Sequence, residues 1–128
     1  MMVLNNMFEV NNFISVGLQA TALRNSVINN NIANAETPGF TRSIVEFESH
    51  LSNEIVRARQ SGTDINFANI MPTVQLSMES VANGLDANNV DIEMEMASLY
   101  INSARFEAMS ISVMNNYRRI NVALNSNI

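Results

Sequence analysis

Three groups of side chains have types and spacings that chemistry could use: a lone histidine, a run of carboxylates and a set of methionines. His50 is the one histidine, and it falls within a stretch with helical periodicity. Without a second ligand or a nucleophile motif beside it, it reads as a solvated or packing residue. Asp86, Asp91, Glu93 and Glu95 invite a calcium loop. Counted from Asp86, an EF-hand requires Gly where Asp91 stands and Glu where Ala97 stands, so the loop fails. Carboxylates there suit the positive end of a helix dipole instead. Met94, Met96, Met109 and Met114 could line an adaptable apolar groove, but at helical spacing they read as packing residues. The chain has no cysteine, which removes disulfides, thiol catalysis and thiolate zinc sites together. It also lacks a glycine-rich phosphate loop and a serine nucleophile motif. The sequence therefore offers no catalytic, cofactor-binding or metal-ligating residue, and no cofactor is expected.

What remains are the elements. At 128 residues the chain is expected to form one domain, 1–128. Hydrophobic residues make up 47% of it, yet none of its apolar runs reaches the ~18 residues that suggest a membrane span. Net charge is −5, with seven arginines and no lysine, which argues against nucleic acid or an anionic membrane as partner. The segment 1–12 lacks the basic, apolar and small-residue regions of a secretory signal, so by itself it points to the cytoplasm. Asparagine is abundant, in runs such as 29–31, 88–89 and 115–116, and reads mostly as a bias at solvated positions.

The chain divides into an N-terminal helix over 10–35, a middle segment over 41–89 and a C-terminal helix over 90–125. Ile14, Leu18, Thr21, Asn25, Ile28, Ile32 and Ala35 follow steps of four and three, with a second seam through Phe13, Val16, Ala20, Leu23 and Val27 beside them. Residues 1–8 show no such order and are expected to be loose. Thr37-Pro38-Gly39-Phe40 ends the helix, because Pro38 disfavours the α region at Thr37 and Pro-Gly fits the centre of a type II turn. In the middle, Ile44, Phe47, Leu51, Ile55 and Ala58 predict a helix ending near Gly62. Val74, Leu76 and Met78 alternate as a short strand does, and Asn83-Gly84 and 86–88 read as turns.

The C-terminal helix carries two apolar stripes. One runs through Ile92, Met96, Leu99, Ser103, Phe106, Ser110, Val113, Tyr117, Ile120 and Leu124. The other, through Ile101, Ala104, Ala108 and Ile111, lies about 160° around the helix. Asn88 or Asn89 is expected to cap the helix start. We expect Leu99, Phe106, Val113, Tyr117 and Ile120 to form the intrachain seam, and Ile101, Ala104, Ala108 and Ile111 to form an assembly interface. A helix of this length spans ~50 Å, whereas a compact chain of this size has a radius of gyration of ~14 Å. The expected molecule is mainly α and elongated, with apolar surface to spare.

Two motifs narrow the reading. Asn31-Ile32-Ala33-Asn34-Ala35-Glu36-Thr37-Pro38-Gly39-Phe40 closely resembles the N-terminal signature of bacterial flagellar rod, hook and hook-associated proteins. Leu85-Asp86-Ala87-Asn88-Asn89-Val90-Asp91-Ile92-Glu93 resembles the segment that opens the C-terminal helix of the rod members. Ala87 stands where that family usually has Gly, and Phe40 where Tyr is common. The short chain is most similar to a proximal rod protein, and not to the FlgC-type sister, which commonly carries extra residues between its Asn-Ile-Ala-Asn core and the following aromatic; here only Ala35-Glu36-Thr37 precede Pro38 and Gly39.

The resemblance implies an antiparallel coiled coil of the terminal helices, with the middle segment further out. It implies a structural subunit of the basal-body proximal rod, assembling helically, transmitting torque and enclosing the export channel. Its implied partners are copies of itself, rod proteins of the FlgC type, the adaptor FliE, and the export gate and inner-membrane ring. Its implied place is the periplasmic rod, reached by type III export without a cleaved signal. The alternatives are another axial rod protein of the FlgC type, or a helical export adaptor or chaperone forming a closed oligomer.

Overall fold

The computed structural model describes the backbone of residues 2–78 and 87–125, with side chains from residue 8 onward. Two long helices dominate it: α1, Met2–Ala33, and α3, Ile92–Asn125. Between them come β1 (Ser43–Glu46), α2 (Glu48–Ser61), a 3-10 turn (Phe67–Asn69) and β2 (Thr73–Leu76). At ~1.5 Å per residue the long helices reach ~48 and ~51 Å.

Helix α1 starts eight residues before the position its periodicity marked. No Gly or Pro precedes Gly17 to stop it, and an Asn116 Nδ2 to Asn11 Oδ1 bond (3.0 Å) ties its early turns to α3. It ends at Ala33. Gly39 then takes φ +72°, and the Phe40 N–H donates to Thr37 O (3.2 Å), closing the expected turn.

The middle segment departs from the helix expected to begin near Ile44. Residues 43–46 form β1, paired antiparallel with β2 in the register Ser43↔Leu76, Val45↔Val74. Two β-branched residues, Ile44 and Val45, favour that pleat once Val74 supplies a cross-strand partner. Helix α2 therefore begins only at Glu48, and Gly62 (φ +63°) ends it with its N–H on Ala58 O. Arg24 fastens α2 to α1 through the Glu48 carboxylate (2.8 Å) and also donates to Val45 O (3.3 Å).

Two faces of α1 are used. One side faces the middle segment, where Val27 lies beside Val45, both buried. The other side meets α3. Residues 95, 102, 109 and 116 recur every seven residues on α3 and meet α1 at Asn31, Thr21 with Asn25, Gly17 and Asn11 in descending order. Heptad spacing in opposite directions is the pattern of an antiparallel coiled coil. Gly17 permits a close approach: a Cβ there would sit 2.9 Å from Met109 Sδ.

The start of α3 is capped by neither Asn88 nor Asn89. Asp91 Oδ1 accepts the Met94 N–H (3.1 Å), the N-cap geometry, which frees the two asparagines for other work. The turn expected at Asn83-Gly84 lies outside the described residues.

Candidate functional site

The two sequence motifs meet. Asn88 lies buried between the end of α1 and the start of α3, and its Nδ2 donates to three carbonyls: Asn34 O (3.0 Å), Ala35 O (2.8 Å) and Thr37 O (2.8 Å). These carbonyls belong to the helix end and turn that follow α1, where backbone acceptors lose their helical partners. Asn88 Oδ1 accepts the Val90 N–H (2.8 Å), so both ends of one amide fix the junction.

A second asparagine organises the next layer. Asn31, 1% exposed, treats Ser43 as a strand neighbour would. Its Nδ2 donates to Ser43 O (2.8 Å) and its Oδ1 accepts the Ser43 N–H (2.9 Å). The same Nδ2 reaches Glu95 Oε2 (3.2 Å). Glu95 is fully buried and forms an ion pair with Arg42, whose backbone N–H donates to Asn89 Oδ1 (2.6 Å). A buried carboxylate of this kind is tolerable only with a cation and hydrogen bonds around it, and both are present. Asn31, Arg42, Ser43, Asn88, Asn89 and Glu95 thus tie α1, β1 and α3 into one knot.

The remaining predicted residues fall as follows. Ile32, Asn34, Ala35 and Phe40 are half-buried, and Ala33, Thr37, Pro38 and Gly39 are exposed. Val90 and Asp91 are half-buried, whereas Leu85 and Asp86 lie outside the described residues. On α3, Leu99, Val113 and Ile120 are half-buried, but Phe106 is 40% and Tyr117 58% exposed. Ile101 (55%) and Ile111 (46%) are exposed, as are Ala104 and Ala108.

The centre of the α3 seam is polar, and hydropathy does not find it. Asn102 donates through Nδ2 to Thr21 O (2.8 Å) and to Asn25 Oδ1 (2.7 Å) while 2% exposed. The asparagines read as a bias at solvated positions include Asn31, Asn88 and Asn116, which bridge elements. On α3 the available signal was the two-heptad spacing of Asn102 and Asn116.

Elsewhere, His50 Nδ1 bonds to Met71 O (2.9 Å), a packing contact. Glu54, buried on α2, receives Arg57 Nε (2.9 Å), the Asn66 N–H (2.8 Å) and Asn69 Nδ2 (3.1 Å). Hydrogen bonding from Arg57, then from the Asn66 backbone, outweighs burial and holds the Glu54 carboxyl down at about 2. Among the described residues no cluster of His, Cys, Asp and Glu is placed to hold a metal, and no helix is long and apolar enough to cross a membrane.

Long antiparallel terminal helices, a small module between them and two motifs locked together at the helix junction define a helical hairpin-like protein without a catalytic constellation among the described residues. Residues 14–41 match the family model described as flagella basal body rod protein. The chain is 32% identical over 121 residues to the flagellar basal body rod protein FlgB of Borrelia hermsii, covering 84% of this chain and 89% of that protein. It is 31% identical to the FlgB of Bacillus subtilis, covering 72% of this chain and 74% of the relative. The FlgB of Salmonella typhimurium is 27% identical, with 80% and 82% covered. The chain belongs to the FlgB family of flagellar basal-body rod proteins.

Proposed function

We propose that the chain is a structural subunit of the proximal rod, folded as a single rod-type domain, that assembles helically with copies of itself and with other axial proteins. The observation that carries this is the pairing of a locked motif junction with an apolar stripe left uncovered on α3. The junction makes α1, β1 and α3 one unit; the stripe through Ile101, Ala104, Ala108 and Ile111 needs a neighbour. Small side chains at Ala104 and Ala108 suit the close approach of a second helix.

The opposite face, through Leu99, Phe106, Val113, Tyr117 and Ile120, is the intrachain seam in this reading, with Phe106 and Tyr117 at its margin. As rod subunits the copies transmit torque and enclose the export channel. The FlgC-type rod proteins, FliE and the export gate with its inner-membrane ring are their neighbours. The chain carries out no catalysis of its own, and it reaches the periplasmic rod by type III export without a cleaved signal. Deleting the gene tests the reading. Cells should lose filaments and motility while still making the ring at the inner membrane, and swimming cells with normal filaments would overturn it.

A further inference from the structure

A groove of about 370 Å³ opens between the early turns of α1 and the loop that follows α2. Val10, Phe13, Ile65 and Phe67 make its apolar wall, and the carboxylates of Glu9 and Asp64 stand beside them. Neither carboxylate has a hydrogen-bond or ion-pair partner among the described residues. Apolar walls with two unneutralised acids suit a partner that brings a cation and an apolar side chain together.

The chain owns such a segment. The last turns of α3 carry Arg118 and Arg119, both exposed and unpaired among the described residues, with exposed Val122 a turn further on. Arg118 and Val122 continue the stripe of Ile101, Ala104, Ala108 and Ile111 at the same steps of three and four, through Asn115. The basic tail is thus the end of the face that already needs a neighbour.

A subunit's own tail cannot fill its own groove. Asn116 is bonded to Asn11, on the side of α1 that meets α3. Glu9 and Phe13 are each two positions from Asn11, which at ~100° per residue turns them well away from that side of the helix. We propose, on the basis of the rod reading above, that this groove seats the α3 tail of a second copy. Arg118 and Arg119 meet Glu9 and Asp64, and Val122 packs against Phe13 and Phe67. Because a copy's own tail cannot reach its groove, the contact lies between copies, and repeated head to tail it joins each copy to the next.

Reversing the charges on each side separately gives a test that only an intermolecular contact passes. One variant carries Glu9→Arg with Asp64→Arg, the other Arg118→Glu with Arg119→Glu. Each is expressed as the full chain in cells lacking the native copy, with helix content and secretion checked for both. Alone, each variant presents like charges at every such contact and should abolish swimming. Expressed together, each variant's tail fits the other's groove, and swimming should return. Normal swimming by either variant alone overturns the proposal. So does failure of the mixed cells when both variants are folded and secreted, the outcome expected if the groove takes a different protein. The unmodified chain, run beside them, must restore swimming; if it does not, the rod reading itself fails and this contact falls with it.

Discussion

Asn88 reads three carbonyls with one amide, and its chemistry sets a sharp expectation. Asn88→Ala removes the donor and leaves part-buried carbonyls of Asn34, Ala35 and Thr37 without it, a loss of about 1–3 kcal/mol. Asn88→Asp should be worse than Asn88→Ala although it is nearly isosteric, because a carboxylate can only accept and would face three oxygens. Urea unfolding of the purified variants would show the order, and Asp milder than Ala would contradict it. Backbone strain gives a second pair. Gly39 has φ +72° with open space where a Cβ would stand, so Gly39→Val should lose about 1–3 kcal/mol through the backbone alone. Ser61→Val, at the exposed last residue of α2, should cost far less. Ala87 sits at φ +57°, a conformation that glycine adopts without penalty. Ala87→Gly should therefore raise stability by up to ~1 kcal/mol, where an ordinary helix-flanking alanine would lose on the same change. The turn at Gly39 was legible because Pro-Gly dictates its own geometry. The partners of Asn88 were not, since they lie some fifty residues away in sequence.

Elements were legible in proportion to how local their causes are. The periodicity that marks α1 and α3 is a property of each segment alone, and both helices form. β1 escaped because Ile44 also fits a helical stripe with Phe47 and Leu51, and only the pairing of Val45 with Val74 across the sheet decides for the strand. The inward face of α3 was legible by halves. Leu99, Val113 and Ile120 flank α1, but the positions between them are Glu95, Asn102, Met109 and Asn116, three of which a hydropathy pattern assigns to solvent. Met109→Asp should consequently destabilise the helix pair more than Phe106→Asp. The Met109 side chain lies against the backbone at Gly17, whereas Phe106 is 40% exposed and an acid there keeps its water. Thermal unfolding of the two variants checks this, and equal losses would contradict it. Helix α2 has its own acid signature. Glu54 titrates at about 2 when folded against an ordinary value of 4.5. A depressed carboxylate stabilises fully above its unfolded value, and that contribution drains away as pH falls from 4.5 toward 2. Protection of the α2 amides, taken against the intrinsic exchange rate at each pH, should fall across this window in the native chain, and Glu54→Gln should flatten the dependence.

At the scale of the whole molecule, the chain exposes 8879 Å², against about 6,800 Å² for a compact monomer of its mass. The excess is larger than the ~800 Å² that each partner contributes to one standard protein–protein interface. Along the outer face of α3, Ile101, Ile111 and Val122 are all exposed. Long helices draw most of their stability from packing of their apolar faces, so the dilute isolated chain should be less helical than the assembled one. Circular dichroism below the assembly concentration, set against the helix content of α1 and α3, measures the deficit. The absence of native cysteine allows the outer face to be probed one site at a time. The most direct measurement is maleimide labelling of Ile101→Cys in the free secreted chain and in isolated basal bodies from cells that carry it as their one copy. The cysteine at position 101 should label readily in the free chain and be protected in basal bodies that contain the protein. Equal labelling in the two states, or basal bodies with a complete rod from which the protein is missing, would contradict the account.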